Sequence, residues 1–161
     1  LTWKAREFGC TTRFIELAGE VNVSMPQYVV GRLAEALNDR EKPLKRSRIL
    51  ILGVSYKKDV DDIRESPALE LLEILTEKGA IVDYHDPFIA RLPRTRAHGE
   101  LAGQESVALT PEGVATYDAI LIVTDHSTVD YKMVVDHAQL VIDTRNATAP
   151  LSGNRKNIIK A

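Results

Sequence analysis

At 161 residues the chain can hold one full domain, or one domain with an appendage. Its 44% apolar and 27% charged content is that of a globular domain, and a net charge of −2 excludes a general affinity for nucleic acid or anionic membrane. No uncharged run approaches the roughly 20 residues of a spanning helix, no signal-peptide pattern opens the sequence, and a lone cysteine, Cys10, excludes an internal disulfide, so a cytoplasmic protein is expected.

The predicted elements begin with helix. A short segment over 1–8 is followed by a break at Gly9-Cys10-Thr11-Thr12. Phe14, Leu17, Ala18 and Val21 then recur at helical spacing, as do Val29, Val30, Leu33 and Leu37 beyond Pro26. Pro26 either kinks one long helix or starts a second, capped by Ser24 or Met25. Such helices have no sheet of their own and are expected to pack on another chain or on polypeptide outside this sequence. Residues 39–47, charged and containing Pro43, read as a linker.

From Arg48 the pattern alternates. Residues 49–53 predict a buried strand ending at Gly53, and 66–78 a helix with Ser66 as cap, Pro67 at its first position and Gly79 as its stop. A strand over 80–84 ends at His85-Asp86-Pro87, followed by a long arginine-rich connection over 88–105. Residues 107–109 read as a short strand, Thr110-Pro111 as the start of a brief helix, and 119–123 as another strand. Ser127 with Asp130 resembles a capping box for a helix through His137, and 140–143 is the last expected strand. The tail, with Gly153, Asn154 and Lys156, reads as loose. Four or five buried strands alternating with helices predict an α/β fold: a Rossmann-like doubly wound parallel sheet preceded by a helical arm. The arm is placed at 1–42 and the sheet domain at 43–161.

The run 48–67, RILILGVSYKKDVDDIRESP, carries the most chemistry. Strand, polar loop and helix start place ligand groups at the carboxyl end of a parallel sheet. The loop supplies fixed positive charge and the helix start supplies free N–H groups, so an anion, phosphate foremost, is the expected guest. A dinucleotide site normally shows G-x-G-x-x-G at this turn. Here Gly53 is followed by Val54, Tyr56 and Lys57, wrong for ordinary NAD binding; a single nucleotide gripped by side-chain charge fits better.

Lys57 and Lys58 lie just past the strand. Arg64 stands beside the helix start, either clamping phosphate or paired with Asp61, Asp62 or Glu65. Asp59, Asp61 and Asp62 match no calcium loop and read as ion pairs and caps, not as a metal site. Arg145 follows the last strand at the same sheet edge as Lys57, so two cations from neighbouring strand tips would share one anion. His85, His98, His126 and His137 lack zinc spacing and read as surface or supporting residues. Cys10 has no base or helix start beside it and is not expected to be a nucleophile.

The stretch 56–67, YKKDVDDIRESP, closely resembles the signature opening the C-terminal, UDP-binding domain of the nucleotide-sugar 6-dehydrogenases, the UDP-glucose dehydrogenase family. The DDIRESP form, with WKAREFG, TRFIELAGEVN and MPQYVV upstream, looks most like the UDP-N-acetylglucosamine and UDP-N-acetylmannosamine branch, and the match runs from Leu1 to about Ala149. The resemblance implies a parent with an N-terminal NAD-binding domain, a central helical connection used for dimerisation, and a C-terminal UDP-binding domain; this chain resembles the last two. It implies that the catalytic cysteine, lysine and aspartate lie upstream of Leu1, that Cys10 does not replace the thiol, and that the chain alone is inactive.

The parent would oxidise the sugar 6-hydroxyl to a carboxylate with NAD, through thiohemiacetal and thioester stages, for bacterial surface polysaccharide. By position Tyr56 and Lys57 match contacts to the UDP-sugar, Arg145 matches a substrate-binding arginine, and Arg64 matches an arginine that reaches NAD. The partners implied are a UDP-sugar and a second copy joined through the helical arm. Two other readings stay open: a non-catalytic dimerisation module, and a freestanding nucleotide-binding domain.

Overall fold

Apolar residues on one stripe give the first helix, α1 (Arg13–Asn38), its inner face. Val29, Val30, Leu33, Ala36 and Leu37 are buried, and only in its second half. The computed structural model describes residues 12–151 and 155–161. The expected segment over 1–8, the break at Gly9 and Cys10 therefore lie outside the described residues. Pro26 sits inside α1, which continues through it as one helix. The inner stripe packs on the chain's own helix α2 (Pro67–Glu77), so this half of the arm is not waiting for a foreign surface. The first half stays exposed, with Phe14 at 89% and Val23 at 73%.

Five strands form one sheet: β1 (Arg48–Leu52), β2 (Ile81–His85), β3 (Ala119–Ile122), β4 (Val141–Asp143) and β5 (Ile158–Lys160), in the order β2-β1-β3-β4-β5. All are parallel, so every strand ends at the same edge. β1 shows why the sheet is covered on both faces. Ile49 and Ile51 pack with α1 and α2, whereas Leu50 and Leu52 pack with α3 (Pro111–Ala115) and α4 (Tyr131–His137). Period-two alternation sends successive side chains to opposite faces, and burying each stabilises by about 2 kcal/mol.

The helix signals act locally as their chemistry requires. Ser66 Oγ accepts from Ala68 N, Pro67 takes the first helical position, and Gly79 adopts φ +82° beyond the last turn of α2. Thr110 Oγ1 likewise accepts from Gly113 N at the start of α3.

Three expectations fail. Residues 107–109 are not a strand. Val107 N donates to Tyr84 O, one bond beside β2, and the following backbone does not pair in a ladder. Ser127 does not cap α4: its N and Oγ both go to Asp59, and the cap is Asp130, which accepts from Met133 N. The tail is not all loose, because 158–160 pairs with β4 as β5.

Candidate functional site

Gly53 closes β1 with φ +81°, and a Cβ there would sit 2.3 Å from the Thr124 carbonyl oxygen. Only glycine lets the chain leaving β1 cross so close to the chain leaving β3. Thr124 Oγ1 donates to Ser55 O at 2.7 Å, sealing the crossing. The next two amides, Val54 N and Ser55 N, donate to Asp86 Oδ2 at 2.8 and 3.1 Å. In a dinucleotide cradle these N–H groups would face a pyrophosphate; here a buried carboxylate of the protein already holds them. The described residues therefore do not build a cradle for NAD.

Asp86, after β2, is the pin of this loop. Its Oδ2 also accepts from Ser55 Oγ at 2.9 Å and from His126 Nε2 at 3.0 Å, while Oδ1 accepts from Phe88 N and Ile89 N. Burial alone pushes the carboxyl up. The Phe88 and Val54 amides, the His126 ring and the Ser55 hydroxyl outweigh it and hold the group below its ordinary range.

Asp143 pins the second loop. It accepts from Arg145 N, Ala147 N and Thr148 N at 2.9–3.1 Å, and from Thr148 Oγ1 and Lys160 Nζ. Burial again pushes up, but Lys160, Thr148 and the Arg145 amide lower its pKa to about 2. Register explains the lysine, because β5 pairs Lys160 directly opposite Asp143.

Between the two loops lies a cavity of about 680 Å³, lined by Tyr56, Thr144 and Arg145, by Ser66 and Pro67 at the start of α2, by Met25 and Val29 of α1, and by His98. Glu65 and Glu70 line it too, so among the described residues positive potential there comes from Arg145 and the helix start. Tyr56 is half exposed, and Lys57 Nζ lies 5.4 Å from its ring centroid, close enough for a cation–π contact. Lys57 itself does not line the cavity; it borders it through Tyr56.

Lys58 and Arg145 both ion-pair with Asp125, at 3.8 and 3.5 Å, which ties the loops after β1, β3 and β4 together. The tips carrying Lys57 and Arg145 are not the neighbours that the sequence predicts, because β3 lies between β1 and β4. Arg64 falls elsewhere. Its guanidinium pairs with Asp62 at 2.7 and 3.0 Å and is 86% exposed. Asp62 pairs with Arg64 and Asp59 accepts from Ser127, neither capping a helix, and no metal-holding cluster of His, Cys, Asp and Glu occurs among the described residues.

The sequence reading missed Asp86, Asp125 and the buried His126. Each follows the end of a strand, a position that was itself the available signal.

A doubly wound parallel sheet with a side-chain-lined cavity at its carboxyl edge defines a Rossmann-like α/β domain. The chain belongs to the UDP-glucose/GDP-mannose dehydrogenase family: residues 50–150 match the family model of its UDP binding domain.

Among relatives, the chain is 30% identical over 144 residues to the UDP-N-acetyl-D-mannosamine dehydrogenase of Escherichia coli (strain K12), covering 83% of this chain and 32% of that protein. It is 31% identical over 139 residues to the NDP-N-acetyl-D-galactosaminuronic acid dehydrogenase of Ralstonia nicotianae, covering 84% of this chain and 30% of that one. The solved UDP-D-ManNAc dehydrogenase of Pyrococcus horikoshii superposes with a TM-score of 0.69 at 27% identity over 91% of this chain and 32% of its own. The chain thus spans about a third of the length of the relatives it matches. No helix among the described residues is long and apolar enough to cross a membrane.

Proposed function

We propose that this chain is the UDP-sugar-binding C-terminal part of a cytoplasmic NAD-dependent nucleotide-sugar 6-dehydrogenase that oxidises a UDP-N-acetylhexosamine to its uronate. The observation that carries the reading is the convergence of Tyr56 and Arg145 on one cavity beside the start of α2, within residues that match the UDP binding domain. In this reading Arg145 grips the pyrophosphate in bidentate fashion, Lys57 adds charge at the rim, and Tyr56 presents a flat face and a hydroxyl. NAD, when bound by a partner domain, supplies the hydride acceptor. In the same reading Arg64, which is exposed and paired with Asp62, meets that cofactor from this side. Two copies pair through the exposed first half of α1, where Phe14, Leu17 and Val21 face solvent.

Isothermal titration of the chain with UDP tests the site. Arg145→Ala is expected to weaken binding by about tenfold or more, and Lys57→Ala by less, on the scale of one lost charge-assisted contact. A folded sample that gives no heat with UDP, or an Arg145→Ala variant that binds like the parent, would overturn the reading. Sedimentation equilibrium tests the pairing: a dimer is expected for the parent, and a monomer for Phe14→Asp.

A further inference from the structure

His126, at the tip of β3, is fully buried and is the point where three loops meet. Its Nδ1 lies 3.0 Å from the backbone nitrogen of Asp59. That N–H can only donate, so Nδ1 holds a lone pair. Its Nε2 lies 3.0 Å from Asp86 Oδ2, an ionised carboxylate that only accepts, so Nε2 carries the proton. The Phe88 ring packs beside the imidazole, centroids 5.0 Å apart. The ring is therefore a bridge: it takes the amide of the loop after β1 and passes a hydrogen to the aspartate that pins the start of the same loop.

We propose that His126 is the positioning residue of the 55–62 loop: its Nδ1 supplies the acceptor for the Asp59 N–H and so sets Tyr56 and Lys57. The proposal rests on the UDP-sugar reading only for what the loop binds. Across the loop itself, Tyr56 N donates to Asp62 O at 2.6 Å. The Asp59 carboxylate accepts from Ser127 N and Oγ at 2.8 and 2.7 Å. The ring and Ser127 together hold Asp59, three residues beyond Tyr56.

The charged and titratable groups around the ring come from every neighbouring element. Asp86 follows β2, and Asp59 and Lys58 lie in the loop itself. Asp125 precedes the ring and is shared by Lys58 and Arg145, and Tyr131 stands on α4. Lys58, Asp125, Ser127 and Tyr131 line, with His126, a cavity of about 360 Å³.

Nitrogen-15 NMR of the chain tests the bridge without any nucleotide. The ring shifts should report the Nε2–H tautomer at pH 8, and the Asp59 amide should be protected from exchange. His126→Asn keeps an acceptor near the Nδ1 position, so protection should stay. His126→Gln keeps the donor toward Asp86 but loses that acceptor, so protection should fall by about tenfold or more.

A residue that merely fills the core would make the two variants alike. That outcome, or an Nδ1–H tautomer, would overturn the proposal. UDP titration at the same pH adds the functional readout: affinity should weaken in His126→Gln and stay in His126→Asn. If the Asp59 amide responds while UDP affinity ignores His126→Gln, the positioning role is overturned. If the amide responds and UDP does not bind at all, the bridge stands and the UDP-sugar reading falls.

Discussion

Two loops rise from the same edge of the sheet, each held by one buried aspartate, yet the group behind each aspartate differs. Asp86 holds the loop of Tyr56 and Lys57 and leans on the buried ring of His126. Asp143 holds the loop of Arg145 and leans on Lys160, whose side chain is half exposed. The ammonium gives its carboxylate a full charge, whereas the ring gives Asp86 a hydrogen bond and carries the tie on to the Asp59 amide. The same anchoring device thus ends in a half-exposed charge on one side of the cavity and in a buried bridge on the other.

The severest way to break the comparison is to remove the pins. Asp86→Ala leaves the amides of Val54, Ser55, Phe88 and Ile89 without acceptors in the interior and is expected to cost about 3–5 kcal/mol in urea unfolding. Asp143→Ala should cost less, about 2–3 kcal/mol, because part of its network reaches solvent through Lys160. The reverse ranking would show that the second loop, not the first, is the more tightly built.

Acid sharpens the contrast next. The Asp143 carboxyl is lowered to about 2, below the ordinary value of 3.8. A depressed folded value means that the unfolded chain binds more protons in that window. The stabilisation is complete above pH 4 and is lost as pH falls toward 2, by about 2 kcal/mol for this one group. Asp86, also lowered, adds to the loss in the same direction. Urea midpoints at pH 5 and pH 2.5 should therefore differ strongly in the parent, and by less in Asp143→Asn.

Lys160→Met is a milder test. The lysine is half exposed, so about 1 kcal/mol is expected, well under the value for a buried pair. The smallest effect belongs to Arg64→Ala. The guanidinium is solvated, and no measurable change in the urea midpoint is expected; a large change would mean that Arg64 holds the loop rather than standing free to meet a cofactor.

Much of this was legible in the sequence where local chemistry dictates structure. Ser66-Pro67 and Gly79 bounded α2, Gly53 ended the first strand, and the apolar runs at 49–52 and 119–122 had to be buried on both faces. The polar loop after β1 and Arg145 after β4 were located correctly at one sheet edge, because parallel topology brings all strand ends together. What stayed hidden depends on pairings distant in sequence. Ile158-Ile159-Lys160 is too short to show a period, and it becomes a strand only because β4 offers an open edge. Ser127 looked like a cap because its spacing to Asp130 fits one, but Asp59 from another loop claims it instead. The bridge through His126 joins residues 40 and 67 positions away, beyond the reach of any local pattern.

The last strand carries a consequence of its own. β5 has a partner on one side only among the described residues, and strands so placed are the first to fray. When β5 lifts, Lys160 leaves Asp143 and the support under Arg145 loosens, so under the proposed UDP-sugar reading the border of the sheet works as a latch on nucleotide grip. A binder that clamps Ile158–Lys160 would tighten UDP from across the sheet without touching it, and amide exchange at Ile159 would give the earliest warning of its release.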